Sequence, residues 1–251
     1  MSDKTALGEL AVKTLGPSAE RLGKTLESAV ETFICNPLDN WIQRCGERIN
    51  IKSKIAKEKI IEKIEKIPEE NRKDPDLSIV GPAVELMKFD LDKDDLVEMF
   101  TNLISNSFNS RQYGLHPAFA SIISQLDTQD ARLLKLLAKS YTALPIISVD
   151  ILSKPNSISP IPGYYSDCHR LQRFSVTTNE ILLESIVDNL ERLKLVTLNN
   201  RVICFADEYN KIQENPEYIK KFANVRNTMK ENRFRLELSS FGRMFTAACV
   251  S

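Results

Sequence analysis

The sequence has few of the residues from which most active sites are built. Only 2 histidines and 8 glycines occur among 251 residues, which leaves little material for histidine-based catalysis or for glycine-rich loops that hold phosphate. The motifs typical of nucleotide-binding loops, zinc peptidases and serine hydrolases do not occur. We therefore predict no catalytic residue, no cofactor and no metal ligand.

Cysteine gives no sign of a metal or redox site either. The 5 cysteines are scattered along the chain without a CxxC pair, and an odd, dispersed set predicts reduced thiols in a cytosolic protein. Cys168 is followed by His169, which places a thiol beside a base. Catalytic partners usually converge from distant positions in a sequence, so we do not assign these neighbours as a nucleophile and its base.

Two further absences concern the location of the protein. No run of about 18 apolar residues occurs, which argues against a conventional membrane-spanning helix. The opening MSDKTALGEL has mixed charge and predicts no secretory signal. The 34 basic and 34 acidic residues cancel, so attraction to DNA or anionic lipid requires a local patch. We expect a cytoplasmic protein, with peripheral association at the inner membrane on activation as an alternative.

Helical periodicity dominates the first part of the chain. Apolar residues recur at three- and four-residue steps through residues 1–74, which close in a charged linker, and again through residues 75–141. This spacing predicts two groups of amphipathic helices. Pro82 is predicted to start one helix, because proline is favoured in the first turn. In residues 51–67 the isoleucines predict a buried stripe, and the lysines predict a solvated face rather than a nucleic-acid or lipid patch.

The pattern changes in residues 142–251. PIISVDIL predicts a strand, NEILLESIVDNLERLKLVTL predicts a helix that runs into a second strand, and residues 153–176 show little periodicity. Asn199 and Asn200 tolerate the positive φ of a tight turn, which predicts a hairpin there. Two helices, a hairpin and a closing strand before LSSFG are typical of a winged-helix module. The predicted fold is mainly α with a small β component (α+β), a helical body followed by a winged-helix-like C-terminal module.

His116 is the histidine that a catalytic or metal-binding interpretation needs most. Pro117 follows it and biases its backbone away from helical geometry, while proline itself is favoured as the first helical residue. We therefore predict that His116 caps or packs against the start of the helix that carries Phe119 and Leu126.

Basic residues are the strongest candidates for a binding surface in the C-terminal module. The set that we single out for contact with a partner protein or a nucleic acid is Lys220, Lys221, Arg226, Lys230 and Arg233. Glutamates interleave with these residues and dilute the positive field that a phosphate backbone requires. The mixture favours a protein-binding surface over a DNA-binding one.

Four segments together resemble a known family. SIVGPAVELMKF, DLVEMFTNLISNSFNS, HPAFASIISQLDTQDARLLKLL and LELSSFGRMFTAAC are similar, in this order, to the bacterial Abi-alpha family of abortive-infection proteins. The resemblance implies a role in defence against phage, in which infected cells stop growing or die before progeny mature, and it brings no assigned active-site residues. The polar residues of this region that packing explains least well form a candidate polar interaction site: Asn102, Asn106, Arg111 and His116.

These observations favour a non-enzymatic component of anti-phage abortive infection, a sensor or protein-interaction module that triggers growth arrest or cell death. Its expected partner is another protein, from the defence system or from the phage, and a second copy of the chain is an alternative. Two other functions stay open. One is a membrane-acting effector that associates through residues 6–34, and the other is a winged-helix nucleic-acid-binding regulator.

Overall fold

The residues that the computed structural model describes are 24–42, 47–140, 143–154 and 157–250. They fall into two compact units, the first ending at Gln125 and the second running from Leu126 to Val250. The division proposed from the sequence, with boundaries at residues 74 and 141, stays a prediction.

The described part of the first unit is built from helices. Their bounds are Lys24–Val30 (α1), Asn36–Ile42 (α2), Glu47–Glu65 (α3), Leu77–Met87 (α4), Asp94–Ser107 (α5) and Ala118–Ile123 (α6). A π-helical turn, Glu31–Cys35, joins α1 to α2. Helix α5 packs against α3, α4 and α6. The amphipathic spacing predicted for residues 75–141 is confirmed in α5, because Leu96, Phe100 and Leu103 are fully buried.

Helix α4 begins earlier than predicted. Asp76 caps it by accepting a hydrogen bond of 2.9 Å from the Ser78 backbone N–H, so Leu77 is the first helical residue and Pro82 lies inside the helix. The prediction that Pro82 starts this helix was wrong, because the aspartate cap satisfies the first N–H groups further upstream. Gly81 has no Cβ to clash with the ring of the following proline, which lets the helical backbone continue through this pair.

Helix α3 buries only part of the predicted isoleucine stripe. Ile60 and Ile64 are fully buried, whereas Ile51 is 63% exposed and Ile55 is 44% exposed. At roughly 100° per residue, the two early isoleucines lie on the opposite side of the helix from the later ones. The early part of the buried face is occupied instead by the small side chain of Ala56.

The second unit combines helices with a four-stranded sheet whose paired strands are antiparallel. Its strands are Leu144–Lys154 (β1), Ser157–Tyr165 (β2), Val196–Asn199 (β3) and Met229–Leu238 (β4), in the order β2-β1-β4-β3. Its helices are Thr128–Ser140 (α7), Cys168–Arg173 (α8), Glu180–Arg192 (α9), Ala206–Gln213 (α10), Pro216–Phe222 (α11) and Ser240–Cys249 (α12). The predicted class, mainly helical α+β, is confirmed.

Side chains alternate along each strand, so the sheet presents two different faces. On one face, Ile147 and Val149 of β1 form a core cluster with Tyr209 of α10 and Tyr218 of α11. Helix α9 packs against β2 and β3, and α7 packs against α9 and β4. The apolar side chains of β1 therefore hold α10 and α11 against the sheet.

Two features of the sheet differ from the sequence-based expectation. Strand β2 lies within the segment of little periodicity and occupies an edge of the sheet, where prolines such as Pro160 and Pro162 are tolerated because one side of the strand needs no donors. The predicted hairpin at Asn199 and Asn200 was wrong, because β3 pairs with β4. The Asn199 side chain instead accepts a hydrogen bond of 2.8 Å from the Arg201 N–H and turns the chain locally.

Asp130 is a buried carboxylate in the first turn of α7, with 4% of the residue exposed. It accepts hydrogen bonds from the Asp127 N–H at 3.0 Å and from the Asn189 side chain of α9 at 2.8 Å. Burial outweighs these bonds and raises the pKa of Asp130 to about 6.

We expect this carboxylate to make the protein less stable as the pH rises from 3.8 to about 6. The native state binds the proton more tightly than the unfolded chain does, so unfolding releases it and the free energy of unfolding falls through this window. The loss is on the order of 1–3 kcal/mol. Denaturant unfolding at several pH values should show a flatter profile for Asp130→Asn than for the wild type. Equal slopes in the wild type and Asp130→Asn would assign the pH dependence to other carboxylates.

Candidate interaction sites

The five basic residues singled out in the C-terminal module do not share one surface. Lys220 and Lys221 lie near the end of α11, Arg226 follows in the turn before β4, and Lys230 and Arg233 lie on β4. An odd separation along a strand places Lys230 and Arg233 on opposite faces of the sheet. The set is therefore divided between both faces.

Two of these basic side chains, Lys221 and Arg233, contact other side chains of the second unit. Lys221 Nζ is ion-paired with Glu180 of α9 and lies 5.3 Å from the centroid of the Tyr165 ring. The Arg233 guanidinium lies 5.1 Å from the centroid of the Tyr209 ring. Aromatic faces attract cations, so both side chains help to hold helices and strands of this unit together.

Asn102 belongs to a polar contact between α3 and α5. Lys63 of α3 donates hydrogen bonds to the Asn102 side chain and to the Glu98 carboxylate. Lys59 of α3 reaches the same carboxylate at 3.2 Å. Lysines that were expected to face solvent therefore pair with α5. The sequence pattern missed this contact, because the periodicity of one helix does not say which charges a neighbouring helix brings to it.

His116 acts at a helix start, as predicted. Its Nδ1 accepts a hydrogen bond of 3.1 Å from the backbone N–H of Ala118, the first residue of α6, and its ring centroid lies 5.9 Å from that of Phe119. Asn106 is half-buried in the last turn of α5, and Arg111 is exposed in the loop that follows. A shared binding role for these polar residues stays a prediction.

A cavity of about 230 Å³ lies in the second unit where three helices begin. The residues that line it at these helix starts are Cys168 of α8, Asn179 and Glu180 at α9, and Asn215 and Glu217 at α11. Asn179 accepts a hydrogen bond of 3.0 Å from the Ile181 N–H, and Asn215 accepts one of 2.9 Å from the Glu217 N–H. These caps fix the positions at which α9 and α11 meet the cavity.

Tyrosine rings form another part of the cavity wall. Tyr164, Tyr165 and Tyr218 line it, and the rings of Tyr165 and Tyr218 meet edge to face with centroids 5.2 Å apart. The Tyr218 hydroxyl donates to Glu231 at 2.7 Å. The Tyr165 hydroxyl is buried beside the Glu180 carboxylate. Burial, and then the Glu180 carboxylate beside it, raises the pKa of Tyr165, so its hydroxyl is neutral.

Cys168 and His169 are adjacent in the sequence but line different cavities. Cys168 lines the cavity described above, whereas His169 lines a second one. Burial, followed by the charges of Glu217 and Asp167, raises the pKa of the Cys168 thiol. A thiol that stays protonated is a poor nucleophile, so this pair lacks both the geometry and the activation of a catalytic dyad.

The second cavity, of about 410 Å³, brings together charged residues of both signs. His169, Arg170 and Arg173 of α8 line it with Lys211 of α10, and Asp167 and Glu208 line it as well. The spacing of Arg170 and Arg173 places both on one side of a short helix, which was a visible signal. The approach of Lys211 was not visible, because α9, β3 and the turn after β3 lie between the two helices in the chain.

Helix α9 presents apolar and acidic side chains at the surface. Ile181 is 65% exposed and Leu182 is 53% exposed. The charged residues of this helix are Glu180, Glu184, Asp188, Glu191 and Arg192. Because acidic side chains repel phosphate, while exposed apolar pairs provide contact area for proteins, this helix suits a protein partner better than a nucleic acid.

The fold and these sites define a mainly helical α+β protein whose sheet-containing unit carries the cavities described above and an exposed acidic helix. Within that class, the chain belongs to the abortive infection alpha (Abi-alpha) family, whose profile matches residues 47–249. The resemblance seen in the sequence is thereby confirmed. No curated protein matches the chain. Among solved structures, an uncharacterized protein from the hydrocarbon-degrading marine bacterium Alcanivorax borkumensis SK2 is similar at 16% identity, with a TM-score of 0.36, over 53% of this chain and 92% of that one.

None of the helices in the described part of the chain is long and apolar enough to cross a membrane. Within the same residues, no group of three or more His, Cys, Asp or Glu side chains is placed to hold a metal ion. Of the segment 6–34, residues 6–23 lie outside the described part, and in the remainder Val30 and Ile34 are fully buried.

Proposed function

We propose that this chain is a cytoplasmic, non-enzymatic component of abortive infection that senses a phage cue or binds a partner protein and thereby triggers growth arrest or cell death. Membership of the Abi-alpha family supports the defence role. The observation that carries the protein-binding part is the surface of α9, where Ile181 and Leu182 are exposed on an otherwise acidic helix.

We further propose that the second unit is an elaborated winged-helix module. Its elements α7, β1, α8, α9, β3 and β4 follow one another in the chain, and β4 lies between β1 and β3. A helix, a strand, two helices and two strands in this arrangement are the order expected of winged-helix folds. On this interpretation β2, α10 and α11 are additions, and α9 corresponds to the helix that DNA-binding relatives of the fold insert into the major groove.

The charge of α9 supports a protein partner at that position. A helix that enters the major groove runs between phosphate-bearing strands, so its acidic side chains oppose binding. Exposed Ile181 and Leu182 are suited instead to fill an apolar pocket on another protein, because buried apolar anchors contribute strongly at protein interfaces.

We expect the double variant Ile181→Asp with Leu182→Asp to lose phage protection while keeping its fold. Aspartate is favoured in the first turn of a helix, and the Asn179 cap binds backbone N–H groups, which the substitutions leave in place. Loss of two apolar anchors should weaken partner binding by about 2–4 kcal/mol, on the order of 100-fold. Plaque numbers on cells that carry the wild-type gene, the variant or no gene measure the effect, with circular dichroism to check the fold.

Met244→Asp is the matched control, because Met244 is 43% exposed on α12 in the same unit; this variant should protect as the wild type does. Full protection by the α9 variant would exclude this surface, and equal plaque numbers with and without the wild-type gene would remove the defence role. A salt-sensitive gel shift that is lost in Arg170→Glu with Lys211→Glu would replace the protein partner by a nucleic acid.

The membrane-acting alternative has weaker support. The apolar residues Val30 and Ile34 of the segment 6–34 are fully buried. Membrane association through these side chains would require the first unit to expose part of its core, which costs about 25 cal/mol for each Å² of apolar surface. We therefore keep protein binding as the proposed function.

A further inference from the structure

The cavity at the starts of α8, α9 and α11 has an excess of negative charge. Glu180 and Glu217 line it, and Lys221 is the single basic residue among the described residues of its wall. Glu184 is close enough to raise the pKa of Tyr165 further. A wall that contains two carboxylates and three tyrosine rings attracts a cation and repels an anion.

Lys221 demonstrates how this cavity holds a cation. Its ammonium is paired with Glu180 and lies 5.3 Å from the centroid of the Tyr165 ring. The Lys221 side chain is 38% exposed, and its flexible stem allows the ammonium to leave without displacing α11. A ligand that carries the same group can therefore take its place.

Gly163 and Tyr165 shape the part of the cavity next to Glu180. Gly163 of β2 has a φ of +120°, and a Cβ at this position would lie 2.8 Å from the Glu180 Cβ, so glycine allows Glu180 to approach the strand. The Tyr165 hydroxyl is buried there beside the Glu180 carboxylate. Its oxygen can accept a hydrogen bond from a ligand that carries N–H donors.

We propose that this cavity binds a small molecule bearing a primary alkylammonium group. The ligand ammonium replaces that of Lys221 between Glu180 and the Tyr165 ring and donates a hydrogen bond to the Tyr165 hydroxyl. The volume of about 230 Å³ limits the ligand to a compact amine. This site lies at the start of α9, next to Ile181 and Leu182, and the chemistry of its ligand follows from Glu180, Lys221 and Tyr165 without reference to which partner binds the helix.

Titration with n-butylammonium tests the site, because this ion reproduces the end of a lysine side chain. Amide NMR of the full chain should show saturable shifts for residues around the cavity. Lys221→Ala should bind the ion about tenfold more tightly than the wild type, because the internal competitor is gone, and Glu180→Gln should bind it about tenfold more weakly. Lys220→Ala is the matched control, because Lys220 is exposed on the same helix and is not part of the cavity wall; its affinity should equal that of the wild type.

The Lys221 ammonium and the ligand ammonium compete for one place, so the affinity of Lys221→Ala tests the proposal directly. Absence of binding to the wild type, or binding to Lys221→Ala that is no tighter than to the wild type, would overturn the proposal. Preferential binding of inorganic phosphate that is lost in Lys221→Ala would also overturn it, because an anion requires the ammonium that a cation displaces. Amide exchange of β4 in each variant verifies that the second unit is folded.

Discussion

Replacing Gly242 with alanine is expected to lower the free energy of unfolding of the second unit by about 3 kcal/mol or more. Gly242 lies in the first turn of α12, and its N–H donates to the Ser239 hydroxyl at 2.8 Å. A Cβ at this position would lie 1.8 Å from the Leu195 carbonyl oxygen and 2.7 Å from its carbonyl carbon. Both are backbone atoms at the entrance to β3, so the methyl group fits only if α12 moves away from the sheet.

Denaturant unfolding measures the loss, and amide hydrogen exchange of β4 assigns it to the second unit. Met244→Ala, on the exposed side of the same helix, should change stability by no more than about 0.5 kcal/mol. Ser239→Ala removes the helix cap and the hydrogen bond that the Ser239 hydroxyl donates to the Lys194 carbonyl, and it should cost about 1–2 kcal/mol. A Gly242→Ala protein as stable as the wild type would show that α12 does not approach Leu195 as closely as the structure indicates.

This glycine also shows which contacts a sequence reveals. Serine is a preferred residue at a helix N-cap, and Ser239 caps α12 by accepting a hydrogen bond from the Gly242 N–H. The need for glycine at position 242 depends on Leu195, which is distant in the chain and meets α12 only in the folded protein. Capping depends on immediate neighbours and is predictable, whereas a close approach of two distant backbones leaves no local pattern.

The strands show the same division between local and distant information. Helix α5 has apolar residues on one side and polar residues on the other, so its buried stripe was predictable. Strand β2 contains prolines and lacks a regular alternation of apolar and polar residues. An edge strand tolerates proline, because one of its sides makes no ladder hydrogen bonds. The hairpin at Asn199 was assigned from a turn-forming sequence, but β3 finds its partner in β4 after two intervening helices. Turn propensity identified the turn at Asn199, but it could not identify β4 as the strand that pairs with β3.

The candidate cavity was less predictable than the fold. Lys221 was singled out as a basic residue, yet its partners Glu180 and Tyr165 come from α9 and β2. Because β2 has no periodic pattern of apolar residues, Tyr165 could not be placed near a helix start from the sequence. The family resemblance, which is specific as a pattern, brought no binding residues with it. The chemistry of this site therefore arises from tertiary contacts alone.

Tyr209 of α10 connects the core cluster to the end of β3. It is fully buried, and its hydroxyl donates to the Phe234 carbonyl at 2.8 Å while accepting from the Cys204 N–H at 3.1 Å. Strand β3 pairs with β4 only as far as Arg235, so the tyrosine supplies a donor to the next carbonyl along, where the partner strand ends. Burial raises the pKa of Tyr209 to about 12, which keeps the hydroxyl a donor near neutral pH.

We therefore expect Tyr209→Ala to lower the free energy of unfolding of the second unit by about 3–5 kcal/mol, and Tyr209→Phe by about 1–2 kcal/mol. Phenylalanine keeps the ring and its contact with Arg233 but leaves the Phe234 carbonyl and the Cys204 N–H without their partner. Alanine removes the ring as well and leaves a cavity. In denaturant unfolding, the Phe value measures the buried hydrogen bonds and the difference from Ala measures ring packing. A Phe variant as stable as the wild type would show that the hydroxyl does not hold the end of β3, and one as unstable as Ala would show that ring packing contributes little.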